Sequence, residues 1–109
     1  MNTYFSKDFL DFFKELAANN HKDWFDLHRK RYETEIKKPF EVFVQDAIDA
    51  LVKINPDLKY LDYKKCIFRI NRDIRFSKDK SPYKLNRSAA ISAGGKKDMT
   101  SPGLYFQFG

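Results

Sequence analysis

The sequence predicts an α+β fold, with about three N-terminal helices packed on a mainly antiparallel sheet. Three observations carry that expectation. Apolar residues recur at helical spacing through the first 63 positions and alternate from Lys65 onward. Charge divides at nearly the same place. Residues 1–63 hold 10 basic and 12 acidic side chains, whereas residues 64–97 hold 11 basic side chains and only Asp73 and Asp79. Turn residues (Gly94-Gly95 and Ser101-Pro102-Gly103) then separate the alternating runs, as hairpin-linked strands require. In a chain of 109 residues neither half makes a convincing core alone. The halves therefore read as layers of one domain, 1–63 helical and 64–109 strand-bearing, or as the N-terminal part of a larger domain.

The first helix is expected to start at Ser6, capped by its hydroxyl, with Phe5 and Leu10 as a hydrophobic staple. Phe9, Phe12, Phe13, Leu16 and Ala17 form its apolar face, and Asn19-Asn20 end it. Asn20 reads as the cap of a second helix whose semi-apolar face carries Trp24, Phe25, Leu27, His28, Tyr32 and Ile36. Pro39 suits the first position of a third helix. There Phe40, Phe43, Val44, Ala47, Ile48, Leu51 and Val52 keep an i, i+3, i+4, i+7 stripe until Asn55-Pro56-Asp57. The burial ranking of residue types reads these aromatics as core.

In the basic half, Cys66, Phe68 and Ile70 alternate with Lys65, Ile67, Arg69 and Asn71. Ile74 and Phe76 keep phase with the first set, but Arg72 intrudes, through either a bulge or a polar cavity. Residues 77–82 read as a loop, followed by strands from Leu85 to Ala93 and from Leu104 to Phe108. The last strand still alternates where the sequence stops. It is therefore expected to present an open edge, completed by further chain or by a second copy.

Composition excludes several classes. A single cysteine excludes an internal disulfide framework and a cysteine zinc cage. No apolar run approaches the roughly 18 residues of a membrane span. The first residues lack the charged-then-apolar order of a signal peptide, so a cytoplasmic setting is expected. His21 and His28 stand seven apart on a predicted helix, too far to share a metal, and no metal is expected. Cys66, between apolar alternates, reads as a buried small hydrophobe. Ser77, Ser81 and Ser88 lie in no nucleophile elbow, and Gly94-Gly95 opens no helix that would cradle a phosphate.

The most unusual stretch runs from Phe68 to Lys84. Arg69, Arg72 and Arg75 sit in an apolar, strand-like context, where an unpaired guanidinium is costly. Together with Lys78, Lys80, Lys84 and Arg87 they form a candidate anion-binding set, since guanidinium forks match phosphate oxygens. Asp73 and Asp79 are candidate acid/base groups or ion-pair partners. Phe68, Phe76, Tyr83 and Tyr105 interleave with the basic residues as bases would require for stacking, although no nucleic-acid-binding signature is present.

The run Trp24-Phe25, Tyr32 and Pro39-Phe40, followed by the block from Ile67 through Arg72-Asp73, Arg75-Phe76-Ser77-Lys78-Asp79-Lys80 and Pro82-Tyr83-Lys84, resembles the DUF2461 family of uncharacterised proteins. The resemblance covers nearly the whole chain and implies that the Arg/Lys block is characteristic of the group. It also implies a longer protein that continues past this chain's last strand. It assigns no catalytic residue and no cofactor. Three functional readings stay open at this point: a module binding a phosphate-bearing ligand or nucleic acid; an enzyme acting on a phosphorylated small molecule through Asp73 or Asp79; and a structural or interaction domain whose basic block pairs with acidic surfaces.

Overall fold

The computed structural model describes residues 5–92 and 103–109. Four helical pieces come first: α1 Lys7–Ala18, α2 Lys22–Leu27, α3 Arg29–Tyr32 and α4 Lys38–Val52. A π-helical turn, Glu33–Lys37, joins α3 to α4 without a break, so the pieces make three rods. The count is as expected, but the second break falls at His28 instead of before Pro39. Pro39 lies in the first turn of α4. Its missing N–H leaves Glu35 without the usual donor four residues on, and its ring crowds that carbonyl. The ladder widens there, and Lys38 N–H donates to the Glu33 carbonyl five residues back.

Two of the expected caps are replaced. Ser6 precedes α1, but its hydroxyl donates to Glu35 Oε2 at 2.8 Å and so ties α1 to the π turn. Leu10 is 56% exposed and makes no staple. Phe5 packs instead on Phe9, Phe40, Phe43 and Phe108. His21, not Asn20, caps α2, its Nδ1 accepting from Trp24 N–H at 3.3 Å.

In the second layer, the chain from Cys66 to Arg72 runs antiparallel to that from Pro82 to Ala90 as an interrupted ladder. Ala90 N–H donates to Cys66 O at 2.8 Å and Phe68 N–H to Ser88 O at 3.0 Å; further along, Lys84 N–H donates to Ile70 O at 2.8 Å and Arg72 N–H to Pro82 O at 2.9 Å. Isolated bridges pair Ile67 with Ala89 and Asn71 with Tyr83, so four steps on one side face six on the other. Of the two alternatives at Arg72, a bulge or a polar cavity, the bulge is not at that residue: the extra residues lie on the partner segment between Tyr83 and Ala89, opposite 67–71. Cys66 and Ile70 stay in phase, but strict alternation is not kept between and beyond them. Ile67, not Phe68, packs against the inner core, Ile70 is buried, and Phe76 is 94% exposed where alternation placed it inside.

β1 (Arg87–Ile91) pairs antiparallel with β2 (Leu104–Phe108), Ala89 opposite Phe106 and Ala90 opposite Tyr105. The sheet is open, and among the described residues no segment pairs with the outer edge of β2. Phe106 and Phe108 each meet Phe43 of α4 edge-on, with centroids 5.2 Å apart. Gly103 lets the chain enter β2, because a Cβ there would stand 2.4 Å from the Ile91 carbonyl oxygen. The expected Gly94-Gly95 turn lies outside the described residues.

Burial forms two clusters. Phe9, Phe12, Phe13, Leu16, Phe25, Tyr32, Ile36, Ile70 and Tyr83 make one. Phe40, Val44, Ile48, Leu58, Cys66, Ala89 and Ile91 make the other, with Phe5 and Phe108 packed against both. On the solvent side, Arg31 holds α1 to α3. Its Nε donates to Asp8 Oδ2 at 2.8 Å, and its Nη2 reaches Asp8 Oδ1 and Glu15 Oε2. The Arg31 hydrogen bond holds the Asp8 carboxyl below the ordinary carboxylate range, against the opposing effect of burial.

A carboxylate whose folded pKa is depressed stabilises the fold above its unfolded pKa of about 3.9 and loses that contribution as pH falls through the lower folded value. Arg31→Met is therefore expected to cost about 1 kcal/mol at neutral pH, most of it through Asp8, since exposed pairs such as that to Glu15 contribute little. The urea midpoints of the wild-type and Arg31→Met chains should converge as the solution is acidified below about pH 4. A constant gap across that range would remove Asp8 as the cause.

Candidate functional site

α1 ends in two asparagines that divide the work. The Asn19 side chain donates back to the Glu15 carbonyl at 2.9 Å and closes the helix. Asn20 is thereby left to face the basic segment. Its Nδ2 donates to Tyr83 O at 2.9 Å, and its Oδ1 accepts from Tyr83 N–H at 3.1 Å. The Tyr83 ring is buried and stacked on Phe25, with centroids 4.1 Å apart at 19°. Tyr83 therefore belongs to the core and offers no surface for stacking a ligand.

This clamp creates a cleft of ≈ 370 Å³. Ala17 and Asn20 contribute the helical wall, and Arg72, Asp79, Ser81, Lys84 and Asn86 the other. Arg72 reaches into it from the end of the interrupted ladder. Its Nη1 donates to Ser81 O at 2.9 Å and lies 3.4 Å from Asp79 Oδ2. Lys84 contributes a second cation, with its Nζ also 5.8 Å from the centroid of the Phe68 ring.

The loop from Asp73 to Ser81 braces itself. Asp73 Oδ1 accepts from Arg75 N–H at 3.3 Å, and both its oxygens receive the Arg75 guanidinium, at 3.1 and 2.9 Å. Asp79 Oδ1 accepts from Ser81 N–H at 2.9 Å and from its hydroxyl at 2.6 Å. Lys80 Nζ donates to Ile74 O at 2.7 Å, across the loop. Arg75 holds the Asp73 carboxyl below the usual range, and the Ser81 hydroxyl, followed by its N–H, does the same for Asp79. Both carboxylates are thus biased toward the anion, as suits turn formation and ion pairing more than proton donation.

The seven candidate cations are not gathered in one place. Arg72 and Lys84 share the cleft. Arg75 and Lys80 are occupied in the loop, and Arg69 and Lys78 are exposed. Arg87 stands apart in the core, 7% exposed, with its guanidinium carbon 5.8 Å from the centroid of Phe40. Its Nε has no hydrogen-bond partner. Burial pushes its pKa down, against the opposite pull of Tyr32 and Glu41. Arg72 and Arg75 therefore form ion pairs with carboxylates of their own loop, while Arg69 acts on Asp73 by charge alone and Arg87 stands apart.

Of the remaining candidates, His28 stacks on Trp24 at 4.1 Å with Nδ1 2.8 Å from the Trp24 carbonyl oxygen, and Cys66 is buried. Among the described residues, no group of three or more His, Cys, Asp or Glu is placed to hold a metal ion. No helix among them is long and apolar enough to cross a membrane. Asn20 and Asn86 were the cleft residues the sequence did not single out. The only signal for Asn20 was the doubled asparagine at a helix end, where one cap suffices.

These features define a class: a helical layer clamped to a basic, strand-bearing segment, with a polar cleft at the join. Over residues 8–109 the chain matches DUF2461, described as a conserved hypothetical protein. The chain belongs to that family. No curated protein and no solved structure matches it.

Two outcomes test the anchoring of the cleft. Asn20→Ala leaves both backbone groups of Tyr83 unpaired and is expected to cost about 1–3 kcal/mol. In hydrogen exchange the Tyr83 amide should lose protection in that variant before the amides of α4 do. Arg87→Met keeps the volume and removes a buried charge without a full set of partners. It should leave stability unchanged or raise it by up to roughly 2 kcal/mol in urea unfolding. A clear loss would show that an anion compensates Arg87.

Proposed function

We propose that this chain binds a phosphate-bearing ligand in the cleft between the end of α1 and the basic segment. One observation supports the reading above others: Arg72 and Lys84 both line the same concavity, beside the side-chain amide of Asn86. A guanidinium fork and a mobile ammonium recognise phosphate in complementary ways, one by geometry and one by charge. The cleft volume falls within the range of small-molecule sites. The carbonyl of Ser81 fixes the plane of Arg72, so the fork is positioned before a ligand arrives.

An enzyme acting on a phosphorylated small molecule is the second reading, favoured by the presence of Asp79 in the same cleft. Its hydrogen bonds to Ser81 lower its pKa and favour the ionised form, which suits ion pairing with Arg72 more than proton donation. Binding therefore takes precedence. A purely structural role for the block accounts for Arg75 paired with Asp73, but not for a polar concavity lined by two cations.

A thermal-shift screen against inorganic pyrophosphate, nucleotides and phosphosugars checks the proposal. A ligand at about 100 times its Kd should add roughly 2.7 kcal/mol of stability. Lys84→Gln should reduce that shift. Arg72→Lys should reduce it too, because the charge is kept and the fork is lost. The shift should also shrink as salt rises. Stabilisation that is absent for every phosphate, or unchanged in both variants, would overturn the reading.

A further inference from the structure

We infer that the Asp73–Ser81 loop and the adjoining sheet face contact single-stranded nucleic acid, with Phe76 as a base-stacking residue. The inference rests on the phosphate-binding reading of the cleft and names its ligand class. Phe76 is the most exposed large hydrophobic side chain among the described residues, at 94%. The loop that carries it is not slack. The Asp73–Arg75 and Asp79–Ser81 contacts and the Lys80 bond to Ile74 O hold the backbone in place around it. Phe76 is therefore presented outward by a pre-formed loop, with the Arg75 guanidinium carbon 5.7 Å from its ring centroid.

Further cations are exposed on the same basic segment. Lys78 and Arg69 are exposed, and Arg69 has no hydrogen bond or close ion pair among the described residues. Beyond the cleft, Lys84 lies over Phe68, and Phe68 meets Tyr105, which is 59% exposed, at 6.3 Å. The basic segment thus carries one exposed aromatic, Phe76 on its loop, meets another, Tyr105 beside Phe68, and lines a cationic cleft. π faces interleaved with basic groups fit a flexible strand whose bases are unstacked, whereas in a duplex the base faces are stacked on one another and closed to a ring. Arg75, paired with Asp73, lies over one face of the ring, and the 94% exposure of Phe76 leaves the other for a base.

Fluorescence anisotropy with a labelled oligothymidylate, and with a duplex of equal length, tests this on the whole chain. The single strand should bind more tightly than the duplex. Phe76→Ala should weaken single-strand binding roughly tenfold or more while leaving the salt dependence unchanged. Phe76→Trp should restore it. Lys78→Gln should instead lower the salt slope, by about 0.7 or less. Equal affinity for duplex, no effect of Phe76→Ala, binding only to anionic phosphatidylserine vesicles, or a change confined to self-association in sedimentation would each overturn the inference. If pyrophosphate stabilises the chain through Arg72 and Lys84 while oligonucleotides do not bind, the cleft reading stands and this one falls. If neither binds, both fall.

Discussion

Asn20 and the backbone of Tyr83 exchange two hydrogen bonds across 63 residues of chain, and the arrangement of the basic segment depends on that exchange. A backbone N–H and C=O withdrawn from water need partners, and a side-chain amide can satisfy both at once. Because the amide belongs to the end of α1, the bond fixes a position as well as saturating it. Tyr83 is then locked between Asn20 and the face of Phe25. Ser81, Lys84 and Asn86, its near neighbours in sequence, inherit that placement. The cleft is the space left between a helix terminus and a strand that cannot approach more closely or retreat.

The helical layer can serve as an anchor because it is itself cross-tied. Phe5 bridges the two apolar clusters, Ser6 bonds to Glu35 in the π turn, and Arg31 joins α1 to α3. Pro39 has a part in this that its place in a first turn conceals. By widening the ladder before α4 it changes the rotation of the rod, so that Tyr32 and Ile36 pack in one cluster and Phe40 and Val44 in the other. Arg87 lies at this seam, near Tyr32 on one side and over Phe40 on the other. A guanidinium there is the one polar intrusion among rings, and its stem gives apolar cover while its charge carries the cost.

Much of the layer plan was legible because it is periodic. The helical stripes at Phe9–Leu16 and Phe40–Ile48, and the alternation of Ala89, Ile91, Phe106 and Phe108, are local patterns that the structure keeps. What was not legible depends on partners distant in sequence. Asn20 has the chemistry of a cap, and only the presence of Tyr83 gives it another task. Alternation grouped Phe68 and Phe76 with Cys66 and Ile70, but the ladder ends at Arg72 and the chain turns at Arg75-Phe76, so Phe76 lies outside the periodic run. The block of arginines was visible as composition. Its division into loop braces, cleft cations and one buried charge was not, because each fate is set by a carboxylate or carbonyl whose position only the fold defines.

That division bears on what the excess of positive charge can do. Counted along the sequence, the block is a uniform attractor for anions, strong at long range and indifferent to shape. In the fold, part of it is spent on Asp73, Asp79 and the Ile74 carbonyl, which lowers the attraction but gives the remainder a fixed geometry. A mobile set of lysines would bind any polyanion through its charge alone. Under the proposed reading, Arg72 held by the Ser81 carbonyl, and Phe76 held outward by a braced loop, would add demands on where a phosphate and a flat ring lie. The internal ion pairs therefore do not count against a binding role. Under the proposed reading they would convert a diffuse field into a surface of fixed geometry.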